Sequence, residues 1–240
     1  MQIKPVYKRV LLKLSGEALM GEERFGVDKN ACGYLALAIK ELCDLHVQVG
    51  IVVGGGNIFR GNQAESFHFA RTPADHIGML ATTINGLILQ QSLAFLGIES
   101  KVMSALKTDS IIEEYNWLNA LHALKQGTPV IFVGGTGNPY FTTDSAAALR
   151  ASEINAEIVL KATKVDGVYS DDPVKNPKAV KYMRLTYSEA LDKKLRVMDA
   201  TAIALCRENE IPICVFNLFE KGSVLKAVCG QSIGSLVTGG

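Results

Sequence analysis

The sequence predicts an α/β fold, and three observations carry that expectation. Short apolar runs bounded by glycine or turn residues alternate with longer segments whose apolar residues recur at helical spacing. At 240 residues, 48% hydrophobic and 20% charged, the chain can bury about 70 to 75% of its unfolded surface in one sizeable core. No linker, low-complexity tract or internal repeat breaks the alternation, so residues 1–240 read as a single domain.

Val10-Leu11-Leu12-Lys13-Leu14 reads as the first buried strand, turned out of the sheet by Ser15-Gly16-Glu17. Lys13 is the odd residue. Its ammonium either snorkels from an edge strand or is aimed at whatever the Ser-Gly turn holds. Asp28 caps a helix bearing Cys32, Leu35, Ile39, Leu42 and Cys43 at helical spacing, and Val47 to Val53 supplies the next strand. That strand runs into Gly54-Gly55-Gly56-Asn57, followed by Arg60-Gly61. Three glycines after a strand let backbone NH groups approach an anion, with Arg60 adding a planar charged fork; a turn beside a surface arginine is the plainer alternative.

Thr72-Pro73 reads as a cap followed by proline at the first helical position. The pattern through Ile77, Leu80, Ile84, Leu87, Ile88, Leu93 and Leu96 then runs to Gly97. Asp75 falls in the expected first turn, where it either complements the helix dipole or binds a hydroxyl. From Asn85 to Leu96 the helix carries almost no charge, which suits a helix that is buried or paired with another subunit. Strands follow at Ile98 to Met103 and Val130 to Val133, around a helix ending at Gly127 in which Trp117 reads as packing.

The stretch Gly134-Gly135-Thr136-Gly137-Asn138-Pro139-Tyr140-Phe141-Thr142-Thr143-Asp144 leaves that strand and enters a helix through Ala146 to Ile154. A strand, a loop of small polar residues and a capped helix start gather backbone NH groups and one carboxylate at one spot. Such a loop either cradles a phosphorylated ligand or is shaped by turn chemistry alone. The next strand, Glu157 to Ala162, carries Lys161 near its end, a second lone ammonium that would be costly to bury without an anion beside it. In the turn-rich segment that follows, Tyr169 offers a face for a flat base and either Asp172 or a backbone carbonyl an acceptor for an exocyclic amine, although Asp172-Pro173 is also a common turn opening. Helices from Thr186, from Asp199 to Asn209 and near Gly222 to Val228, with strands at Ile213 to Phe216 and Ile233 to Val237, complete the chain.

Composition removes several function classes. Lys+Arg 25 against Asp+Glu 24 gives net charge +1, so no overall basic field recruits nucleic acid, and small anionic ligands fit better. The five cysteines, Cys32, Cys43, Cys206, Cys214 and Cys229, form no CxxC pair and read as reduced core filler. Four scattered histidines give a transition-metal site little support. The N-terminus from Met1 to Arg9 has no signal-peptide core, and no apolar run spans a bilayer; the expected compartment is the cytoplasm. Neither GxGxxG nor GxxxxGK[ST] occurs, so any phosphate transfer must use another apparatus.

Together, Lys13-Leu14-Ser15-Gly16, Gly54-Gly55-Gly56-Asn57, the loop from Gly134 to Asp144 and Lys161-Ala162-Thr163-Lys164-Val165-Asp166-Gly167-Val168-Tyr169 closely resemble the amino acid kinase superfamily. The resemblance runs from Tyr7 to Val237. Its most specific motifs are Phe59-Arg60-Gly61, Asp75-His76-Ile77-Gly78-Met79, Thr136-Gly137-Asn138-Pro139-Tyr140-Phe141-Thr142-Thr143-Asp144 and Val197-Met198-Asp199, which point to the branch whose acceptor is UMP. It implies a three-layer α/β/α sandwich around an open, mainly parallel sheet, transfer of the ATP γ-phosphate to UMP with Mg²⁺, and a homohexamer assembled as a trimer of dimers. By the same resemblance the ATP site falls on Lys13, Gly16, Gly56, Arg60, Thr163, Tyr169 and Asp172. The UMP site falls on Gly55, Asp75 and the run Thr136 to Thr143.

Phosphoryl transfer needs no protein nucleophile, only alignment and charge neutralisation. Lys13, Arg60 and Lys161 are the expected neutralising groups. Asp144 either holds Mg²⁺ or orients the lysines, and Asp199 supports a lysine from behind. Regulated members carry basic residues where this chain has Gln90, Ala94 and Lys101, which argues against activation by GTP; UTP inhibition persists by competition at the UMP site. A different acceptor within the superfamily and a non-catalytic oxyanion binder are the competing expectations.

Overall fold

The computed structural model describes residues 4–60, 66–108 and 110–239; Met1 to Ile3 of the N-terminus and Gly61 of the Arg60-Gly61 pair lie outside them. The described elements run β1 (Arg9–Leu14), a 3-10 turn (Gly16–Leu19), α1 (Lys29–Asp44), β2 (Gln48–Val53), α2 (Arg71–Phe95), β3 (Lys101–Ser104) and β4 (Glu113–Glu114). They continue with α3 (Trp117–Lys125), β5 (Val130–Val133), α4 (Thr143–Glu153), β6 (Ile158–Thr163), β7 (Val168–Tyr169), β8 (Lys181–Tyr182) and β9 (Arg184–Thr186). The last are α5 (Tyr187–Asp192), α6 (Ala200–Glu208), β10 (Ile213–Asn217), α7 (Ser223–Val228) and β11 (Ser235–Thr238).

Among the described residues, nine strands form one sheet in the order β4-β3-β5-β2-β1-β6-β10-β11-β9, parallel except between β10 and β11, while β7 and β8 pair apart. The central strands are buried on both faces, which is why they read as continuous apolar runs. Leu124, Ala147, Ala190 and Ile203 bring α3, α4, α5 and α6 onto one face. Leu35, Leu89 and Val224 bring α1, α2 and α7 onto the other. The α/β expectation therefore holds, with helices on both faces of a mostly parallel sheet.

Several helix starts follow the sequence. Asp28 accepts from Ala31 N at 2.7 Å, Thr186 and Glu189 form a reciprocal capping box, and Asp199 caps α6. The start of α2 differs. Ala70, without a side-chain cap, precedes a helix beginning at Arg71, so Pro73 sits third, where its missing NH is still an orphan. Asp75 consequently lies beyond the first turn, and the helix-dipole reading of it falls away. Trp117, expected as packing, is 50% exposed. Of the cysteines, Cys32, Cys206 and Cys214 are buried and Cys43 and Cys229 only partly so, all as free thiols.

Candidate active site

The loops after β1, β2, β5 and β6 gather at the carboxyl ends of adjacent parallel strands. From β1 the chain winds out through β2 towards β5 and returns through β6 on β1's other side. Such a switch point leaves a crevice. Register then places Lys13 of β1 directly opposite Lys161 of β6. Two ammonium groups side by side would repel, and α4 supplies the remedy: Asp144 contacts Lys13 Nζ at 2.6 Å and accepts from Lys161 Nζ at 2.8 Å. The three side chains are only 12 to 15% exposed.

One carboxylate between two cations leaves a net positive cluster suited to a phosphate. Burial pushes the Asp144 carboxyl up, but the charges of Lys13 and Lys161 outweigh it and hold the group below the usual aspartate range. Burial lowers Lys161 below an ordinary lysine, with Lys13 adding to the effect and Asp144 and Asp199 opposing it.

Asp144 is fixed by the start of its helix. Thr142 Oγ1 accepts from Asp144 N at 3.0 Å and Ser145 N at 3.4 Å, and itself donates to Asp199. Ser145 Oγ also donates to Asp199, at 3.0 Å. Asp199 thus ties the start of α4 to that of α6. The charge of Asp199 raises Lys161, and Val197 O, two residues before Asp199, accepts from Lys161 Nζ at 2.5 Å.

The glycine loop abuts the β1 turn so closely that a Cβ on Gly16 would lie 2.4 Å from Asn57 Oδ1, 2.7 Å from Gly54 O and 2.8 Å from Gly56 N. Only glycine fits there without moving backbone. Asn57 and Asn85 exchange amide hydrogen bonds at 3.1 and 2.7 Å, and Asn85 also donates to Gly54 O at 2.7 Å. Arg60 donates to Gly56 O at 2.8 Å and pairs with Glu17 at 2.7 Å, and Glu17 reaches Lys164 at 3.3 Å. Glu17 thereby draws Arg60 and the segment after β6 to one point.

Two cavities are lined by segments that flank the cluster residues in sequence, though Lys13, Asp144 and Lys161 line neither. The first, about 600 Å³, is lined by Gly55, Asp75, Phe141, Thr142 and Thr143 from the expected acceptor residues and by Gly56, which was expected on the ATP side, together with Phe59, Phe69, Arg71 and Met79. Thr136, Gly137, Asn138, Pro139 and Tyr140 do not line it; Thr136 and Asn138 close a turn on each other, and Tyr140 N donates to Asp75 at 2.7 Å. The second, about 350 Å³, is walled by Tyr169, Asp172, Lys193, Lys194 and Arg196. Tyr169 is pinned by a 2.5 Å hydrogen bond to Asp166, while Thr163 serves the turn by bonding Val165 in both directions. Thr143 of the first wall immediately precedes Asp144, and Val165 of the second lies four residues after Lys161.

No group of three or more His, Cys, Asp or Glu side chains that could hold a metal occurs among the described residues. Asp144 is a single carboxylate already engaged by two ammonium groups. That donor set does not make a resident metal site, and it suits an ion that arrives on nucleotide phosphates.

Glu17, Arg71, Thr82, Asn85 and Ser145 were not singled out from sequence. Thr82 Oγ1 accepts from Gly134 N at 2.8 Å and so anchors the central loop to α2. Asn85 alone left a usable signal, a polar residue inside the uncharged stretch of a long helix.

The sequence pattern of the amino acid kinase family matches residues 8–217. Among curated relatives, the uridylate kinase of Methylococcus capsulatus is 54% identical over 99% of both chains. That of Protochlamydia amoebophila is 58% identical over 88% of this chain and 84% of its own. Among solved structures, UMP kinase from Bacillus anthracis superposes with a TM-score of 0.94 at 39% identity, covering 97% of this chain and 96% of the other. UMP kinase from Ureaplasma parvum gives 0.90 at 39% identity, covering 99% and 100%.

Proposed function

The chain belongs to the amino acid kinase family, and from that membership and the site's geometry we infer that it transfers the γ-phosphate of ATP to UMP, yielding UDP and ADP. The observation that carries this reading is the buried Lys13–Asp144–Lys161 cluster, in which one carboxylate stands between two ammonium groups at the ends of adjacent parallel strands. An oxygen of the UMP phosphate attacks the γ-phosphorus in line, the bond to the β–γ bridging oxygen breaks, and ADP leaves with that electron pair. No protein nucleophile takes part. The protein's share is alignment and fixed positive charge.

Lys13 and Lys161 bracket the moving phosphoryl group, with Arg60 adding its fork from the glycine loop. Asp144 orients the two lysines, and Asp199 holds the start of α4 that carries Asp144. UMP occupies the cavity lined by Gly55, Asp75 and Phe141 to Thr143, with Asp75 accepting from the ribose and Thr136 to Tyr140 closing over it from outside the lining. ATP lies across Lys13, Gly16, Gly56, Thr163, Tyr169 and Asp172. Mg²⁺ bound to ATP would supply neutralisation of phosphate charge, with Asp144 the one carboxylate of this cluster that could face it.

We read residues 1–240 as one catalytic unit acting in the cytoplasm. No helix among the described residues is long and apolar enough to cross a membrane, which is compatible with that reading. We read the chain as a homohexamer, a trimer of dimers, and the exposed Leu80 and Ile84 on α2 mark the face we assign to a subunit contact. UTP inhibits by competing at the acceptor site. GTP does not activate: Gln90 is engaged with Ser100 O at 3.0 Å, and Lys101 faces Glu113 at 3.8 Å.

A different acceptor, such as an amino acid carboxylate, is the second reading; the mixed aromatic and hydroxyl lining of the first cavity favours a nucleotide. Product analysis across nucleoside monophosphates and amino acids with MgATP decides between them. UDP as the dominant product is expected. Phosphorylation of an amino acid without UMP turnover would overturn the reading.

A further inference from the structure

Asp75 does not meet the first cavity alone. Arg71, one turn earlier on α2, donates from Nε to Asp75 Oδ1 at 3.0 Å and Oδ2 at 2.8 Å. Oδ2 also accepts from Tyr140 N at 2.7 Å. Tyr140 is held at φ 72°, in the left-handed region a tyrosine rarely adopts, and the Arg71 guanidinium carbon stands 5.4 Å from the centre of its ring. A surface ion pair at this spacing is ordinarily worth little. Here, however, the pair is asymmetric: Arg71 is 58% exposed and Asp75 only 21%, and both line the cavity. The arginine therefore lies over the carboxylate at the cavity mouth and reaches the acceptor loop through Tyr140.

We infer that Arg71 is a positioning residue for the acceptor sugar: it aims the Asp75 carboxylate and holds Tyr140 against it, so that Asp75 recognises one sugar hydroxyl. An ionised carboxylate offers about four acceptor positions. Among the described residues, Arg71 and Tyr140 take three, and the remaining one is on Oδ1. Asp75 can thus accept from one of the two ribose hydroxyls without surrendering an existing contact. Arg71 sets its direction, so discrimination between ribose and deoxyribose acceptors runs through Arg71. This inference rests on the UMP reading and adds the residue that governs sugar selectivity.

The test compares kcat/KM for UMP, 2′-deoxy-UMP and 3′-deoxy-UMP in the wild-type enzyme, Arg71→Met and Arg71→Lys. The KM for MgATP and the thermal midpoint are measured alongside. Loss of a hydrogen bond to a charged group should cost the wild type roughly tenfold or more on one of the two deoxy acceptors. In Arg71→Met that preference should shrink to about threefold or less through a raised KM for UMP, with the MgATP KM and the midpoint unchanged. Arg71→Lys should restore part of it. A preference unaltered in Arg71→Met, or an equal loss on all three acceptors, would overturn the inference and leave Arg71 as a surface pair. Absence of UDP formation by the wild type would instead overturn the UMP reading itself, and this inference with it.

Discussion

In the proposed reaction, Lys13 is the residue on which most of the chemistry converges. Replacing it with Met removes a preorganised charge while keeping an unbranched chain in β1, so turnover should fall roughly a hundred- to thousandfold with the fold intact. Steady-state kinetics with circular dichroism checks this, and an unchanged rate would reduce Lys13 to a strand residue that snorkels. Lys161 yields a pH prediction. Burial lowers its pKa and the charge of Asp144 raises it, so Asp144→Asn removes a raising influence. The alkaline limb of kcat/KM for MgATP, which reports the free enzyme, should therefore move to lower pH in that variant. A move to higher pH would contradict the coupling. The two lysines were legible in the sequence as lone ammonium groups at strand ends. Their pairing was not, because it depends on the register of β1 against β6, strands almost 150 residues apart. Asp144 likewise stayed ambiguous between metal and lysines until its distances to Lys13 and Lys161 were known.

At the scale of elements, α2 organises what we propose to be the acceptor side. Asn85 holds the glycine loop, Thr82 holds Gly134, and Arg71 and Asp75 reach Tyr140. Asn85→Leu would leave the buried Asn57 amide short of a partner and free Gly54 O, at a cost of about 1 to 3 kcal/mol. Urea unfolding should show a lower midpoint at an unchanged slope; an unaltered midpoint would mean the amide pair is dispensable. The helix also approaches β5 so closely that a Cβ on Gly86 would fall 2.3 Å from Val133 Cγ1. Gly86→Ala should accordingly destabilise by about 1 to 3 kcal/mol, read in the same way. Apolar periodicity and caps made the long elements legible, as with Asp28 and α1 or Asp199 and α6. Two- and three-residue strands such as Glu113–Glu114 and Val168–Tyr169 carry too few residues to show a period. The start of α2 was misplaced because Thr72-Pro73 imitates a cap, whereas proline is tolerated anywhere among the orphan NH groups of a first turn.

For the whole molecule, a mostly parallel sheet with helices on both faces puts the loops of four strands at one end, which suits a site assembled from distant segments. Motif content made the family legible, while the route by which Glu17 joins Arg60 to Lys164 exists only in three dimensions. The exposed Leu80 and Ile84 give the assembly prediction. Ile84→Lys should lower the molar mass measured by light scattering, and an undiminished assembly would move the interface elsewhere. The central claim is that donor and acceptor meet at the Lys13–Asp144–Lys161 cluster from two separate cavities. A crystal structure with UMP and a non-hydrolysable ATP analogue tests it most directly. The account predicts uracil and ribose beside Asp75 and residues 136–143, adenine beside Tyr169 and Asp172, and the γ-phosphate between the two lysines. A γ-phosphate remote from both lysines, or UMP in the cavity of Tyr169, would contradict it.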